Sequence, residues 1–125
     1  MNKKIILIVR VIFGIMLIAL GSFSFMNLPI PGYPPKAKAF LVALGNTGYL
    51  NYAIGVVFII VGLMFVLRRY VALGALLLAP ITVNIILFHI FLDIKSIILG
   101  LVVALLNIFI AYTEWDKYKL LFVSK

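Results

Sequence analysis

The sequence contains no cysteine, and this absence excludes several kinds of chemistry. A chain without thiols forms no disulfide, no dithiol redox centre, no iron–sulfur cluster and no covalently attached c-type haem. Histidine is also scarce, since His89 is the sole one. One imidazole cannot hold a haem between two histidines of the same chain, and scattered acids do not complete a three- or four-ligand metal site. We therefore expect no metal site and no covalently bound cofactor.

Charge is scarce as well, and it is one-sided. Three Asp and Glu stand against eleven Lys and Arg in 125 residues, while 66% of the residues are hydrophobic and the mean hydropathy is +1.31. A soluble domain is about half apolar and a quarter charged, and a chain this short cannot hide such an excess in its own core. The basic residues flank apolar runs without forming an aromatic-interleaved stripe, so we expect the lipid bilayer as a partner and no nucleic acid.

Four apolar segments approach the roughly 20 residues that a helix needs to cross the hydrocarbon core. They cover residues 5–25, 49–67, 71–92 and 96–113. The first connection, residues 26–48, is long and rich in proline, which predicts an extended or turned stretch at the outer interface, followed by a short interfacial helix over residues 36–45. The sequence thus predicts a single membrane domain, residues 1–125, of the all-α class: a four-transmembrane-helix bundle.

The distribution of Lys and Arg predicts the orientation of this bundle. One side holds eight of them, namely Lys3, Lys4, Arg10, Arg68, Arg69, Lys117, Lys119 and Lys125, and the other side holds Lys36, Lys38 and Lys95. The positive-inside rule then places both termini in the cytoplasm. Arg10 also interrupts the first apolar run, which favours a retained spanning helix over a cleaved signal peptide.

Small residues predict which helix faces pack together, because close approach of backbones is the main packing device in lipid. Gly14 and Gly21 lie seven apart in the first segment, and Gly48, Gly55 and Gly62 repeat at seven in the second. A seven-residue repeat suits left-handed bundle packing. Further small-residue faces contain Ala72, Ala75 and Ala79 in the third segment and Gly100, Ala104, Asn107 and Ala111 in the fourth.

Polar side chains inside the third segment are candidates for a site, because such groups are costly in lipid unless they are paired. Thr82, His89 and Asp93 are seven and four residues apart and share a face, whereas Asn84 lies off that stripe and Pro80 precedes it. An Asp one turn from a His can orient the imidazole and raise its pKa. Two interpretations of His89 stay open: a contact in a ligand site, or a hydrogen-bonded histidine that joins helices.

A second polar group is predicted near the cytoplasmic side. Arg10 and Glu114 would lie at similar depth and neutralise each other, with Asn107 nearby. Alternatively, Arg10 reaches the phosphate headgroups and Glu114 is in water. No serine has the two partners of a hydrolytic triad, since there is one histidine, so we expect no catalytic residues and no enzyme activity of the chain alone.

Several stretches resemble the DoxX family of small bacterial integral membrane proteins. They are Phe40-Leu41-Val42-Ala43-Leu44, Thr47-Gly48-Tyr49-Leu50, Arg68-Arg69-Tyr70-Val71 and the run from Leu78 to Leu92 with its Ala-Pro, Val-Asn and Phe-His elements. The resemblance implies a four-helix bundle in the bacterial cytoplasmic (inner) membrane. It also implies a respiratory or oxidative-stress context, because the family is named after a subunit linked to quinol oxidase and thiosulfate:quinone oxidoreductase activity.

On this basis we expect a non-catalytic accessory subunit that binds a quinone or another lipid-like molecule. Asn84 and His89 would contact a carbonyl headgroup, with Thr82 and Asp93 close by and Pro80 shaping the pocket. Electrons would come from a partner redox protein, and a homo-oligomer is the other expected assembly. The alternative is a structural or assembly protein without a ligand. A small carrier fits less well, because few polar residues are present to line a path.

Overall fold

The computed structural model describes residues 2–26 and 32–124, and all regular secondary structure in these two ranges is helical, with no strand. The helices are α1 (Lys3–Phe23), α2 (Pro35–Asn46), α3 (Leu50–Val66), α4 (Val71–Leu92), α5 (Ile97–Thr113) and α6 (Trp115–Tyr118), with 3₁₀ turns at Ile94–Ser96 and Lys119–Phe122. The predicted all-α class is confirmed. The proline-rich stretch predicted to be extended lies, over residues 28–31, outside the described residues.

Three helical segments are long and apolar enough to cross a membrane: α1, α4, and α5 together with its leading 3₁₀ turn. The helix α3 has 17 residues, and it meets α2 at an angle of 88°. This bent pair passes the same test when its two helices are taken together, so the described residues provide three spans, or four if the bent pair forms one of them. In the water-free interior of a bilayer, such segments can satisfy their backbone amides only by forming helices.

The sharp turn between α2 and α3 has a local explanation. Gly48 has φ +80°, which side-chain-bearing residues rarely adopt, so the chain can reverse there without strain. Thr47 accepts a hydrogen bond at Oγ1 from the Leu50 amide over 3.1 Å and so satisfies a free N–H at the start of α3. The prediction that Gly48 belongs to the packing stripe of the second span is wrong, because nothing lies within 4 Å of the position where its Cβ would stand.

The helices α1 and α3 approach each other through two reciprocal pairs of glycines. A Cβ on Gly62 would lie 2.6 Å from the carbonyl oxygen of Gly14, and one on Gly14 would lie 2.7 Å from the carbonyl oxygen of Gly62. Seven residues further along α1, a Cβ on Gly21 would lie 2.6 Å from the carbonyl oxygen of Gly55. Because the helices are antiparallel and both repeats have seven residues, the two pairs meet in register. These four glycines bring the backbones into direct contact.

The four long helices surround one core. Its buried members are Phe13, Leu17, Phe58, Val61, Phe65, Val71, Ala75, Leu78, Val103 and Ile110. At one end of the bundle, which we call the basic end, α1 begins, α3 ends, α4 begins and α5 ends. At the other, the α2 end, the helix α2 packs against α3 and α4. There Phe88 of α4 contacts Phe40 of α2, with the ring centroids 5.5 Å apart.

Candidate functional site

The predicted polar stripe of the third span is divided in the structure, and its first part joins α4 to α5. Thr82 donates from Oγ1 to Oδ1 of Asn107 over 2.8 Å, and Asn107 donates from Nδ2 to the carbonyl oxygen of Ala75 over 3.2 Å. Thr82 and Asn107 are 7% and 5% exposed. Both polar groups of the Asn107 amide are therefore used between helices, and Thr82 is not free to bind a ligand.

His89 forms a second contact between α4 and α5, closer to the α2 end. Its ring lies over Gly100, where an added Cβ would stand 2.7 Å from Cδ2 of the imidazole. The Nδ1 atom lies 3.3 Å from the backbone carbonyl oxygen of Asp93. The prediction that the Asp93 carboxylate orients the ring is therefore corrected, since the main chain at the end of α4 does so. The arrangement agrees with the interpretation of His89 as a histidine that joins helices.

Asn84 and Pro80 occupy a different side of α4, where both are exposed. The structure consequently does not bring Asn84 and His89 to one pocket, because His89 is buried against α5 while Asn84 faces outward. The side chains as the structure places them do not form the predicted contact of both residues with one headgroup. The spacing along the sequence explains this separation. Asn84 is five residues from His89, which places the two side chains more than a quarter turn apart around the helix.

The predicted pair of Arg10 and Glu114 is not formed. Arg10, 7% exposed, donates from Nε to the carbonyl oxygen of Phe65 over 2.8 Å, next to the end of α3. Carbonyls of the last helical turn lack partners within the helix and attract a cation, so Arg10 stabilises the end of α3. Glu114 pairs with Lys117 instead, and the other ion pair of the described ranges joins Lys119 to Asp116.

The C-terminal segment is fastened to the basic end by a tyrosine. Tyr118 in α6 donates its hydroxyl to the carbonyl oxygen of Ala72 in α4. Burial raises the pKa of Tyr118 above its ordinary value, and the negative charge of Glu114 raises it further. A tyrosine hydroxyl is protonated at neutral pH in any case. The raised pKa of Tyr118 extends to more alkaline pH the range in which this hydrogen bond holds the segment after α5 against α4.

A cavity of about 610 Å³ lies at the α2 end, between the end of α1, the helix α2 and the start of α3. This volume is within the usual range for small-molecule sites. Its apolar wall contains Leu20, Phe23, Met26, Leu41 and Val42, and its polar groups come from Ser24, Tyr33, Asn46, Tyr49, Asn51 and Tyr52. None of the predicted ligand contacts, Thr82, Asn84, His89 or Asp93, lines it.

The polar groups of this cavity are suited to a ligand with hydrogen-bond acceptors. Three tyrosines and two asparagines line it, and their side chains carry hydroxyl and amide donors. The hydrogen bonds found among residues 2–26 and 32–124 involve none of these five side chains, whereas Ser24 is already bonded to the Leu20 carbonyl. Aromatic contacts support the rim: Phe25 stacks on Tyr52 at 5.5 Å, and Phe88 meets Tyr33 edge-on at 6.3 Å.

Sequence reasoning missed this cavity because its polar residues lie outside the interior of the spans. The available signal was the grouping of two asparagines and two tyrosines within seven residues, from Asn46 to Tyr52, around the turn glycine Gly48. Because tyrosine is also enriched at ordinary membrane interfaces, this grouping does not by itself indicate a cavity. Within the described ranges, no group of three or more acidic, cysteine or histidine side chains is placed to hold a metal ion.

Comparisons with known protein families, with curated proteins and with solved structures find no match to this chain. The resemblance to the DoxX family therefore stays a hypothesis that rests on the quoted residues.

Proposed function

We propose that the protein is a four-span protein of the bacterial cytoplasmic membrane, with α3 as the fourth span, α2 lying at the outer surface, and both termini in the cytoplasm. Two features support this topology. The basic end includes Lys3, Arg68 and Lys117, as the positive-inside rule requires of the cytoplasmic side. The 88° bend allows α2 to lie along the surface while α3 enters the membrane.

Cysteine labelling tests the topology, because the chain has no native thiol. Lys36→Cys in α2 should react with a membrane-impermeant maleimide on intact cells. Ser124→Cys should react only after the membrane is permeabilised. Labelling of both variants before permeabilisation, or of Ser124→Cys alone, would show that the orientation is wrong.

We further propose that the cavity at the α2 end binds a quinone or a similar lipid-like molecule, and that the protein is a non-catalytic accessory subunit. The single observation that supports this is the 610 Å³ cavity, whose lining combines tyrosines and asparagines with an apolar wall. Tyrosine hydroxyls and asparagine amides donate to the carbonyl oxygens of a quinone ring, while Leu20 and Phe23 of α1 contact its tail. Electrons would have to reach such a ligand from a partner redox protein.

A cavity-filling variant tests the binding site. Gly45 lines the cavity, and its Cβ position has ordinary contact with Asn51 at 3.6 Å, so Gly45→Phe places a ring inside without a backbone clash. We expect Gly45→Phe to weaken binding of a decyl-benzoquinone by about tenfold or more, which corresponds to roughly 1.4 kcal/mol. Fluorescence quenching of the purified protein in nanodiscs, together with mass spectrometry of lipids extracted with it, provides the measurement.

The matched control is Ala43→Phe, on the same helix and exposed but not part of the cavity wall. It should bind the quinone as the wild type does. Equal binding by both variants, or no quinone-like molecule in the gentle extract and no binding by the wild type, would remove the cavity as a quinone site.

The second candidate is a structural or assembly protein without a ligand. It is favoured by the polar contacts of Thr82, Asn107 and His89, all of which join α4 to α5. The two candidates differ in one respect: only the first gives Gly45→Phe and Ala43→Phe different effects on a bound molecule.

A further inference from the structure

Asn84 presents an unpartnered amide on the outward side of α4. It lies thirteen residues after Val71 and eight before Leu92, more than two turns from either end of the helix. Its side chain is exposed and forms none of the hydrogen bonds found within residues 2–26 and 32–124. The other polar side chains deep in the long helices, Arg10, Thr82 and Asn107, are buried and bonded. In the described part of the chain, Asn84 thus differs from these residues, because its side chain is neither buried nor hydrogen-bonded.

The face around Asn84 is otherwise apolar and regular. Its exposed residues are Leu73, Leu76, Leu77, Pro80, Val83, Asn84, Leu87, Ile90 and Phe91, and we call this face the α4 stripe. Each residue of the stripe has another member of the stripe seven residues away, as Leu77, Asn84 and Phe91 illustrate. A seven-residue repeat keeps such a stripe in contact with a second, parallel helix along its whole length.

Lipid chains cannot satisfy an amide, so a partner that both accepts and donates hydrogen bonds matches Asn84 best. A second copy of the chain meets this requirement. Two copies in one membrane have the same orientation, and a two-fold axis along the membrane normal places each residue of α4 at the depth of its own counterpart. A carboxamide has two N–H donors and a carbonyl acceptor, and it therefore pairs with an identical group.

We propose that the α4 stripe is the interface of a parallel homodimer, centred on a hydrogen bond between the Asn84 side chains of the two copies. Pro80 adds to the polarity of the same face, because it lacks the N–H that would bond the carbonyl of Leu76. The proposal rests on α4 crossing the bilayer and does not depend on a ligand in the cavity at the α2 end. Loss of quinone binding would leave it intact.

Single-cysteine cross-linking in lipid vesicles tests the interface directly. Leu87 on the α4 stripe and Val102 on α5 are 45% and 44% exposed, and each lies five residues from the α2 end of its helix. With a mild oxidant, Leu87→Cys should form a covalent dimer and Val102→Cys should not. Equal cross-linking of the two variants, or none with Leu87→Cys, would overturn the proposal.

Dilution of the protein in vesicles, followed by energy transfer between labelled copies, then tests the role of the amide. Asn84→Leu should raise the dimer dissociation constant by roughly three- to twentyfold, the range measured for hydrogen bonds between membrane helices. Asn84→Gln, which keeps donor and acceptor, should restore most of the affinity. A wild-type protein that is monomeric at every concentration, or an unchanged constant in Asn84→Leu, would also overturn the proposal.

Discussion

Gly62→Ala should lower the free energy of unfolding by about 3 kcal/mol, the upper part of the range for an overpacked core. The new methyl group would lie 2.6 Å from the Gly14 carbonyl oxygen and 2.7 Å from Cγ1 of Ile18. The first of these atoms belongs to the backbone of α1, so relief requires the two helices to separate. The higher helix propensity of alanine returns at most about 1 kcal/mol. Reversible unfolding in mixed micelles with increasing dodecyl sulfate provides the measurement.

The matched control for this substitution is Gly45→Ala in α2. Its Cβ would be 3.6 Å from the nearest atom, Nδ2 of Asn51, which is ordinary contact. This variant should be neutral or slightly stabilised, by up to about 1 kcal/mol. The reciprocal variant Gly14→Ala should behave like Gly62→Ala, and the double variant should lose less than the sum, because the first methyl group already separates the helices. If Gly62→Ala were as stable as Gly45→Ala, the backbone contact would not exist.

The glycine contact was predictable from the sequence because it depends on spacing alone. Gly14 and Gly21 match Gly55 and Gly62 in interval, and close approach is the main use of glycine in apolar helices. The same reasoning failed for Gly48, which continues the interval but follows the polar Asn46 and Thr47. Gly48 lies in the turn before α3 and not in the helix, because Thr47 stabilises the start of α3.

The polar residues were less predictable, because their partners are chosen by geometry between helices. Spacing placed Thr82 and His89 on one face of the third span, and both indeed face α5. It could not show that Arg10 would donate to the backbone carbonyl of Phe65 and not to a carboxylate. A backbone acceptor leaves no trace in the sequence, and neither does a cavity that forms only when α2 folds across the end of α1 and α3.

Asn107→Ala is the second substitution for which we expect a large loss, of about 1–3 kcal/mol in the free energy of unfolding, from two hydrogen bonds at the values measured between membrane helices. It removes the acceptor of Thr82 and the donor to Ala75, and it enlarges the apolar groove of about 210 Å³ that Asn107 already lines. Leu105→Ala is the control, because Leu105 lies on the same helix, is exposed and does not line that groove.

A double-mutant cycle with Thr82→Val separates the hydrogen bond from the packing. Valine keeps the shape of threonine without its hydroxyl, so the cycle isolates the bond of 2.8 Å between Oγ1 and Oδ1. We expect a coupling energy of roughly 0.6–1.7 kcal/mol. Zero coupling would mean that Thr82 bonds its own helix backbone when α4 and α5 are packed. A coupling energy in this range would show that the hydrogen bond between Thr82 and Asn107 stabilises the packing of α4 against α5. Apolar contacts discriminate less, because lipid packs against the same apolar surfaces equally well.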